Sequence, residues 1–111
     1  MEFVARHRYA PLSAQKTRLV VDLIRGKDVN YALLALRAMP KRASYYVDRV
    51  LRSAMANADQ SLAADMERLK VARAWVDEGP MRKKWRAASR GRAATIRSRT
   101  CHIHIVLDDS Q

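Results

Sequence analysis

The chain begins with a segment in which apolar and polar residues alternate. Residues 2–9, EFVARHRY, follow a period of two, which predicts a β-strand with two different faces. We expect the strand to end at Pro11, because proline has no N–H to donate to a sheet. One face of the predicted strand carries Phe3, Ala5, His7 and Tyr9, and the other carries Val4, Arg6 and Arg8.

Three later segments repeat their apolar residues every three or four positions, which predicts three helices. The first lies between Ser13, a capping residue, and Gly26, which suits a left-handed closing position. The second follows Asp28, another capping residue, and the third spans about residues 41–58. The predicted core faces are Leu19, Val20, Leu23 and Ile24 in the first helix; Val29, Ala32, Leu33 and Leu36 in the second; and Ala43, Val47, Val50, Leu51, Ala54 and Ala58 in the third.

Two more strands are predicted in the second half of the chain. They are LKVARAWVDEG, residues 69–79, and RTCHIHIVL, residues 99–107, and an acidic surface loop, DQSLAADMER, is predicted before them. The last strand would place Cys101, Ile103, Ile105 and Leu107 on one face. These elements predict an α+β fold, with three helices packed on a small three-stranded antiparallel sheet. We expect residues 1–111 to form a single domain.

Between the last two strands lies the segment GPMRKKWRAASRGRAATIRSRT, residues 79–100. Two arms that can pair as strands flank a centre of small residues, and Gly91 suits a turn because glycine accepts a positive φ. We predict that residues 80–99 form a long basic β-hairpin that protrudes from the domain. A disordered tail or solvated loop is the alternative for a basic run, but this run continues directly into the strand RTCHIHIVL.

The charge of the chain is concentrated in that segment. The chain carries 22 Lys and Arg against 11 Asp and Glu, a formal net charge of +11. Residues 79–107 hold eight of the cations and no carboxylate. A two-stranded ribbon is marginally stable alone, and eight like charges weaken it further. We therefore expect a polyanion, most simply nucleic acid, to supply the counter-charges and order the hairpin.

Other kinds of chemistry find little support in the sequence. Cys101 is the one cysteine, which predicts no disulfide and a reducing cytosol, and no signal peptide or membrane span is expected. His102 and His104 would share a face, but with only the distant His7 in addition they do not make a four-ligand metal site. No phosphate loop, nucleophile elbow or HExxH motif is present, so neither an enzyme nor a cofactor is expected.

Several motifs, in this order, resemble one known family. SAQKTRLVVDLIRGKDV, SAMANADQ, VDEGP, RGRA and RTCHIHIVL look like large-subunit ribosomal protein twenty-two in its bacterial form, from about residue 5 to 107. The resemblance implies a cytoplasmic protein of the large ribosomal subunit that binds ribosomal RNA and aids its assembly. It also implies a hairpin tip that lines the peptide exit tunnel beside a loop of ribosomal protein four of the large subunit. The implied neighbours are other ribosomal proteins, the nascent polypeptide and, in the same tunnel, macrolide antibiotics.

The resemblance assigns roles to individual residues. It places Arg82, Lys83 and Lys84 on the stretch tied to macrolide response, and Ser89, Arg90, Gly91, Arg92 and Ala93 at the tunnel-lining tip. Trp85 stands where an aliphatic residue is usual, and it could stack on a base. Together with the basic residues of the predicted surface, the expected RNA-binding set is Arg6, Arg8, Lys16, Arg18, Arg25, Arg82, Lys83, Lys84, Trp85, Arg86, Arg90, Arg92, Arg97, Arg99, Thr100 and His102.

Some points stay open at the level of sequence. Ala87 and Ala88 replace a usual Pro-Arg pair before the tip, which puts the conformation of the tip in doubt. A row of basic residues on the third helix faces either solvent or RNA: Arg42, Arg49 and Arg52. Two rival functions also remain, a helix-turn-helix protein that reads duplex DNA and an enzyme with a basic substrate cleft.

Overall fold

The computed structural model describes residues 1–61, 65–87 and 93–109, and of residues 82–87 and 93–97 it describes the backbone. Among the described residues, one strand precedes the three helices and four strands follow them. The elements are β1 (Glu2–Ala10), α1 (Ala14–Ile24), α2 (Val29–Ala38), α3 (Arg42–Gln60), a 3-10 turn (Met66–Arg68), β2 (Lys70–Glu78), β3 (Arg82–Ala87), β4 (Ala93–Ser98) and β5 (Cys101–Asp108).

The sheet has β5 at its centre. The strand order is β1-β5-β2, and β5 pairs antiparallel with both neighbours, so that Ile105 lies opposite Ala5 on one side and Ala74 on the other. Three helices cover one face of this sheet, with α3 against β1 and β5 and α1 against β2. The predicted α+β architecture is confirmed. The sheet and the helices are called the body below.

The core lies between the sheet and the helices. Cys101, Ile103, Ile105 and Leu107 of β5 are all fully buried, as predicted from the alternation in this strand. The predicted faces of α2 and α3 also point inward, with Leu33 as the one partly buried member. Each aliphatic side chain buried in this way contributes about 1.5–3 kcal/mol, which makes this layer the main source of stability.

The predicted face of α1 was half wrong. Leu19 and Leu23 are 57 % and 52 % exposed, whereas Val20 and Ile24 are buried as expected. The helix is rotated so that Thr17 and Val21 are buried in place of Leu19 and Leu23, and its buried face consists of Ala14, Thr17, Val20, Val21 and Ile24.

The predicted alternation of β1 also fails at its end. The pairing of β1 with β5 is irregular between His7 and Ala10, and Tyr9 has a φ of 59°. This bulge turns Tyr9 away from the core face that alternation assigned to it. Its ring instead meets the edge of the His102 ring at 4.9 Å, and its N–H donates to His102 Nδ1 at 3.0 Å.

The ends of the helices follow the sequence in part. The Ser13 hydroxyl accepts from the Lys16 N–H at 3.3 Å, and Gly26 has a φ of 78°, as predicted for both. Asp28 stands at the start of α2, but its side chain makes no capping hydrogen bond there. The predicted acidic loop is partly helical, because α3 continues to Gln60; residues 62–64 lie outside the described residues.

The strands β3 and β4 form a separate two-stranded sheet, here called the ribbon. Arg82 pairs with Ser98 at one end and Ala87 with Ala93 at the other, all antiparallel. Neither strand belongs to the sheet of the body. Within the described ranges, no helix is long and apolar enough to cross a membrane.

Candidate nucleic-acid interface

The ribbon joins the body at one point, here called the root. The N–H of Gly79, just after β2, donates to the carbonyl of Thr100 at 2.9 Å, just before β5. The Thr100 hydroxyl donates to the carbonyl of Pro80 at 2.7 Å. A Cβ at position 79 would overlap the Thr100 hydroxyl and lie 3.3 Å from the His102 ring. Glycine is therefore required for this close approach, which fixes where the ribbon leaves the sheet.

Five of the cations predicted to bind RNA belong to the strands of the ribbon. The described backbone places Arg82, Lys83, Lys84, Trp85 and Arg86 on β3, and Arg97 on β4. Ala93, predicted as part of the tip, is the first residue of β4. Ser89, Arg90, Gly91 and Arg92 lie outside the described residues. The RNA contacts expected for this group stay a prediction.

Two predicted RNA-binding arginines are occupied by the protein itself. Arg18 donates from Nε and Nη2 to the carbonyl of Val76, at 3.1 and 2.9 Å. Arg25 donates in the same way to the carbonyl of Ala74, at 3.0 and 2.9 Å, and its Nη1 lies 2.8 Å from Asp22. Both therefore fasten α1 to β2. Nothing in the sequence indicated these bonds, because their acceptors are backbone carbonyls.

The face of the sheet opposite the helices carries polar and aromatic side chains, among them Arg6 and the half-buried His102. Trp75 is 38 % exposed there and stacks on His104 with ring centroids 4.9 Å apart. His104 Nε2 also lies 3.2 Å from the Asp77 carboxylate. Burial lowers the pKa of His104, with Asp77 acting against burial and Arg6 adding to it. The neutral ring is therefore favoured in the stack.

Cys101 and the acidic residues do not form a chemical centre. Burial raises the pKa of the Cys101 thiol, which lies 3.8 Å from the Thr17 hydroxyl and is fully enclosed. A protonated, enclosed thiol is a poor nucleophile and a poor metal ligand. Among the residues whose side chains the structure describes, no three of the types His, Cys, Asp and Glu come together to hold a metal ion.

The remaining predicted residues on the body are open to solvent. Arg6 and Arg8 are exposed on β1, and Lys16 is exposed on the first turn of α1. Arg99 is exposed beside Thr100 at the root. Lys16 and Arg99 both border concave surface near the start of α1, which is described further below.

A basic α+β body that carries a separate cationic ribbon defines a protein that binds nucleic acid. Comparison with known families identifies the family to which the chain belongs. Residues 5–108 match the model of the family of ribosomal protein L22p/L17e, and the chain belongs to that family. The resemblance found in the sequence is thereby confirmed. Membership implies a structural protein of the large ribosomal subunit that binds ribosomal RNA and serves translation.

Proposed function

We propose that this protein is a structural constituent of the large subunit whose ribbon is inserted into ribosomal RNA and whose tip lines the nascent-peptide exit tunnel. The observation that carries the proposal is the separation of the ribbon from the body. The two strands pair with each other, and residues 79–107 contain eight cations and no carboxylate. RNA phosphates supply the counter-charges that the chain itself lacks there.

The register of the ribbon supports the same reading. Lys83 and Arg97, two residues of like charge, are register partners. Pairs of like charge opposite each other destabilise an isolated antiparallel ribbon. The body in contrast has a complete core of its own in the sheet and three helices. The ribbon is thus an extension that the body carries for a partner.

Further parts of the proposal follow from the family. The ribbon aids the folding of ribosomal RNA during assembly, because a polycation that RNA orders also draws RNA segments together. Its tip meets the nascent polypeptide and neighbouring ribosomal proteins, and Arg82, Lys83 and Lys84 lie on the stretch near bound macrolides. The family is structural and not enzymatic, which argues against the enzyme with a basic cleft.

The test uses the full chain in living cells. A photoreactive amino acid replaces Ser89 in one variant and Lys70, at the far end of β2 from the root, in the control. We expect both variants to sediment with large subunits, and only the Ser89 variant to cross-link to a stalled nascent chain. Sedimentation without that cross-link would disprove the tunnel role, and absence from large subunits would disprove the ribosomal role.

A further inference from the structure

The cations of the body differ in whether a carboxylate of the chain lies beside them. Four arginines pair with a carboxylate of the chain: Arg25 with Asp22, Arg52 with Asp48, Arg68 with Asp65, and Arg73 with Glu2. In the part of the chain that the structure describes, the ammonium groups of Lys16 and Lys41 and the guanidinium of Arg99 have no such partner. Among the same described residues, the guanidinium of Arg42 has no carboxylate partner and lies 5.9 Å from the ring centroid of Tyr46.

These four cations border one concave surface, here called the root groove. A cavity of about 420 Å³ lies between the start of α1 and the start of α3, with Lys16, Lys41 and Arg42 in its lining. A second concavity of about 400 Å³ shares Arg42 with the first and extends to Arg99, beside the root. The two concavities also share Pro11, Leu12 and Ser13.

The lining of the root groove has a distinct chemistry. Leu12 and Ala43 are buried beneath it, and no carboxylate belongs to either concavity. Like charges near one another raise the energy of the free protein, and among the described residues no carboxylate in the lining of the two concavities offsets this repulsion. An apolar floor with a cationic border suits a sugar–phosphate backbone, whose riboses pack on apolar carbon while the phosphates meet the cations.

We propose that the root groove binds the sugar–phosphate backbone of one RNA strand, with Lys41 and Arg42 as phosphate ligands beside Lys16 and Arg99. This inference rests on the proposed function and adds a second RNA site, on the body, that is continuous with the root. The groove holds RNA through phosphates and reads no base. Lys41 and Arg42 lie about 40 residues from the ribbon in sequence, and only the fold brings them to it.

The experiment compares two double variants that remove the same charge from the full chain. Lys41→Gln/Arg42→Gln removes two cations from the border of the groove, and Lys27→Gln/Lys70→Gln removes two exposed cations from the far end of the body. Binding to a transcript of large-subunit ribosomal RNA is measured by filter retention over a series of salt concentrations. We expect the groove variant to bind roughly 30-fold more weakly near 0.1 M salt, with a salt slope smaller by about 1.4–1.8, and the control to change little.

The outcomes separate the inference from the function on which it rests. If the unmodified chain does not bind the transcript, the proposed function fails. If it binds and both double variants lose the same affinity, the root groove is not a specific site. Thermal melting shows whether each variant folds, and Lys16→Gln/Arg99→Gln provides a second test if the first pair does not. Equal binding of polyglutamate by the unmodified chain, with the same sensitivity to Lys41→Gln/Arg42→Gln, would overturn the assignment to RNA.

Discussion

The body and the ribbon differ in how their strands are paired and in how their charges are balanced. The body encloses fully buried residues such as Leu51, Ile105 and Leu107, and several of its arginines end on its own carboxylates or carbonyls. The ribbon has a cationic sequence without one carboxylate, and its strands pair only with each other. The contrast teaches that burial holds one part of the chain together, whereas for the other part we propose that a polyanion supplies the order.

The largest difference is expected when the ribbon is removed. Replacing residues 82–98 by a short glycine–serine linker takes away seven cations. We expect binding to ribosomal RNA to fall at least about a hundredfold, because each lost phosphate contact also lowers the salt slope by about 0.7–0.9. The body should still melt in one cooperative transition, measured by circular dichroism. Loss of that transition would show that the ribbon is part of the core.

A change inside the core of the body should lower the free energy of unfolding. Leu51→Ala removes a fully buried side chain from α3, and we expect a loss of about 2–5 kcal/mol in the free energy of unfolding. Leu34→Ala is the matched control, since Leu34 is 67 % exposed and its removal should cost little. Urea denaturation measures both. Equal losses would contradict the position of the core.

A change at the root tests the joint between the two regions. Gly79→Ala introduces a Cβ that overlaps the Thr100 hydroxyl, and we expect a cost of about 1–3 kcal/mol in the free energy of unfolding. The cost should shrink when Thr100→Ala is already present, because the overlapping oxygen is then gone. A double-mutant cycle measures this coupling, and a coupling of zero would show that the two residues do not meet.

Cations that hydrogen-bond to the chain itself should contribute more to stability than cations that do not. Arg18→Gln removes two hydrogen bonds to the carbonyl of Val76, and we expect a loss of about 1 kcal/mol because Arg18 itself is exposed. Lys16→Gln removes the same charge two positions earlier and should change unfolding by less than about 0.5 kcal/mol. Urea denaturation of the two variants side by side decides whether this division of the cations holds.

The smallest effect concerns pH. The pKa of His104 is lower in the folded protein than in the unfolded chain, so the unfolded state binds its proton first as pH falls. The stability that the neutral ring contributes is therefore present above the unfolded pKa of about 6.5 and is lost below it. Thermal melting at neutral and mildly acidic pH should show this loss. His104→Gln should reduce it, and an unchanged pH dependence in that variant would exclude His104 as the source.

The buried face of an element was predictable from the sequence wherever its apolar residues lie on one side. β5 and α3 each have a single apolar face, so their burial followed from periodicity alone. In α1 the residues around Val20 and Ile24 are apolar on both sides, so periodicity alone did not decide between Leu23 and Val21, of which Val21 is the buried one. The bulge at Tyr9 depends on His102, which lies 93 residues away, and no local pattern contains it.

The candidate site was predictable in its charge but not in its arrangement. The cations of the ribbon stand out because they are consecutive in sequence and lack acidic neighbours. The root groove joins Lys16, Lys41 and Arg99 from three distant segments, so only the packed helices reveal it. The roles of Arg18 and Arg25 were hidden for the same reason, since a backbone carbonyl acceptor leaves no mark in a sequence.

The root is the pivot about which the ribbon as a whole would turn relative to the body. The two strands of the ribbon continue from β2 and β5, which are neighbours in the sheet, and the hydrogen bonds of Gly79 and Thr100 hold them together at their base. Six residues of strand extend about 20 Å at the usual rise, so a turn of about ten degrees at the pivot would carry Ala87 through roughly 3.5 Å. Substitutions in the sheet can in this way reposition the far end without touching it.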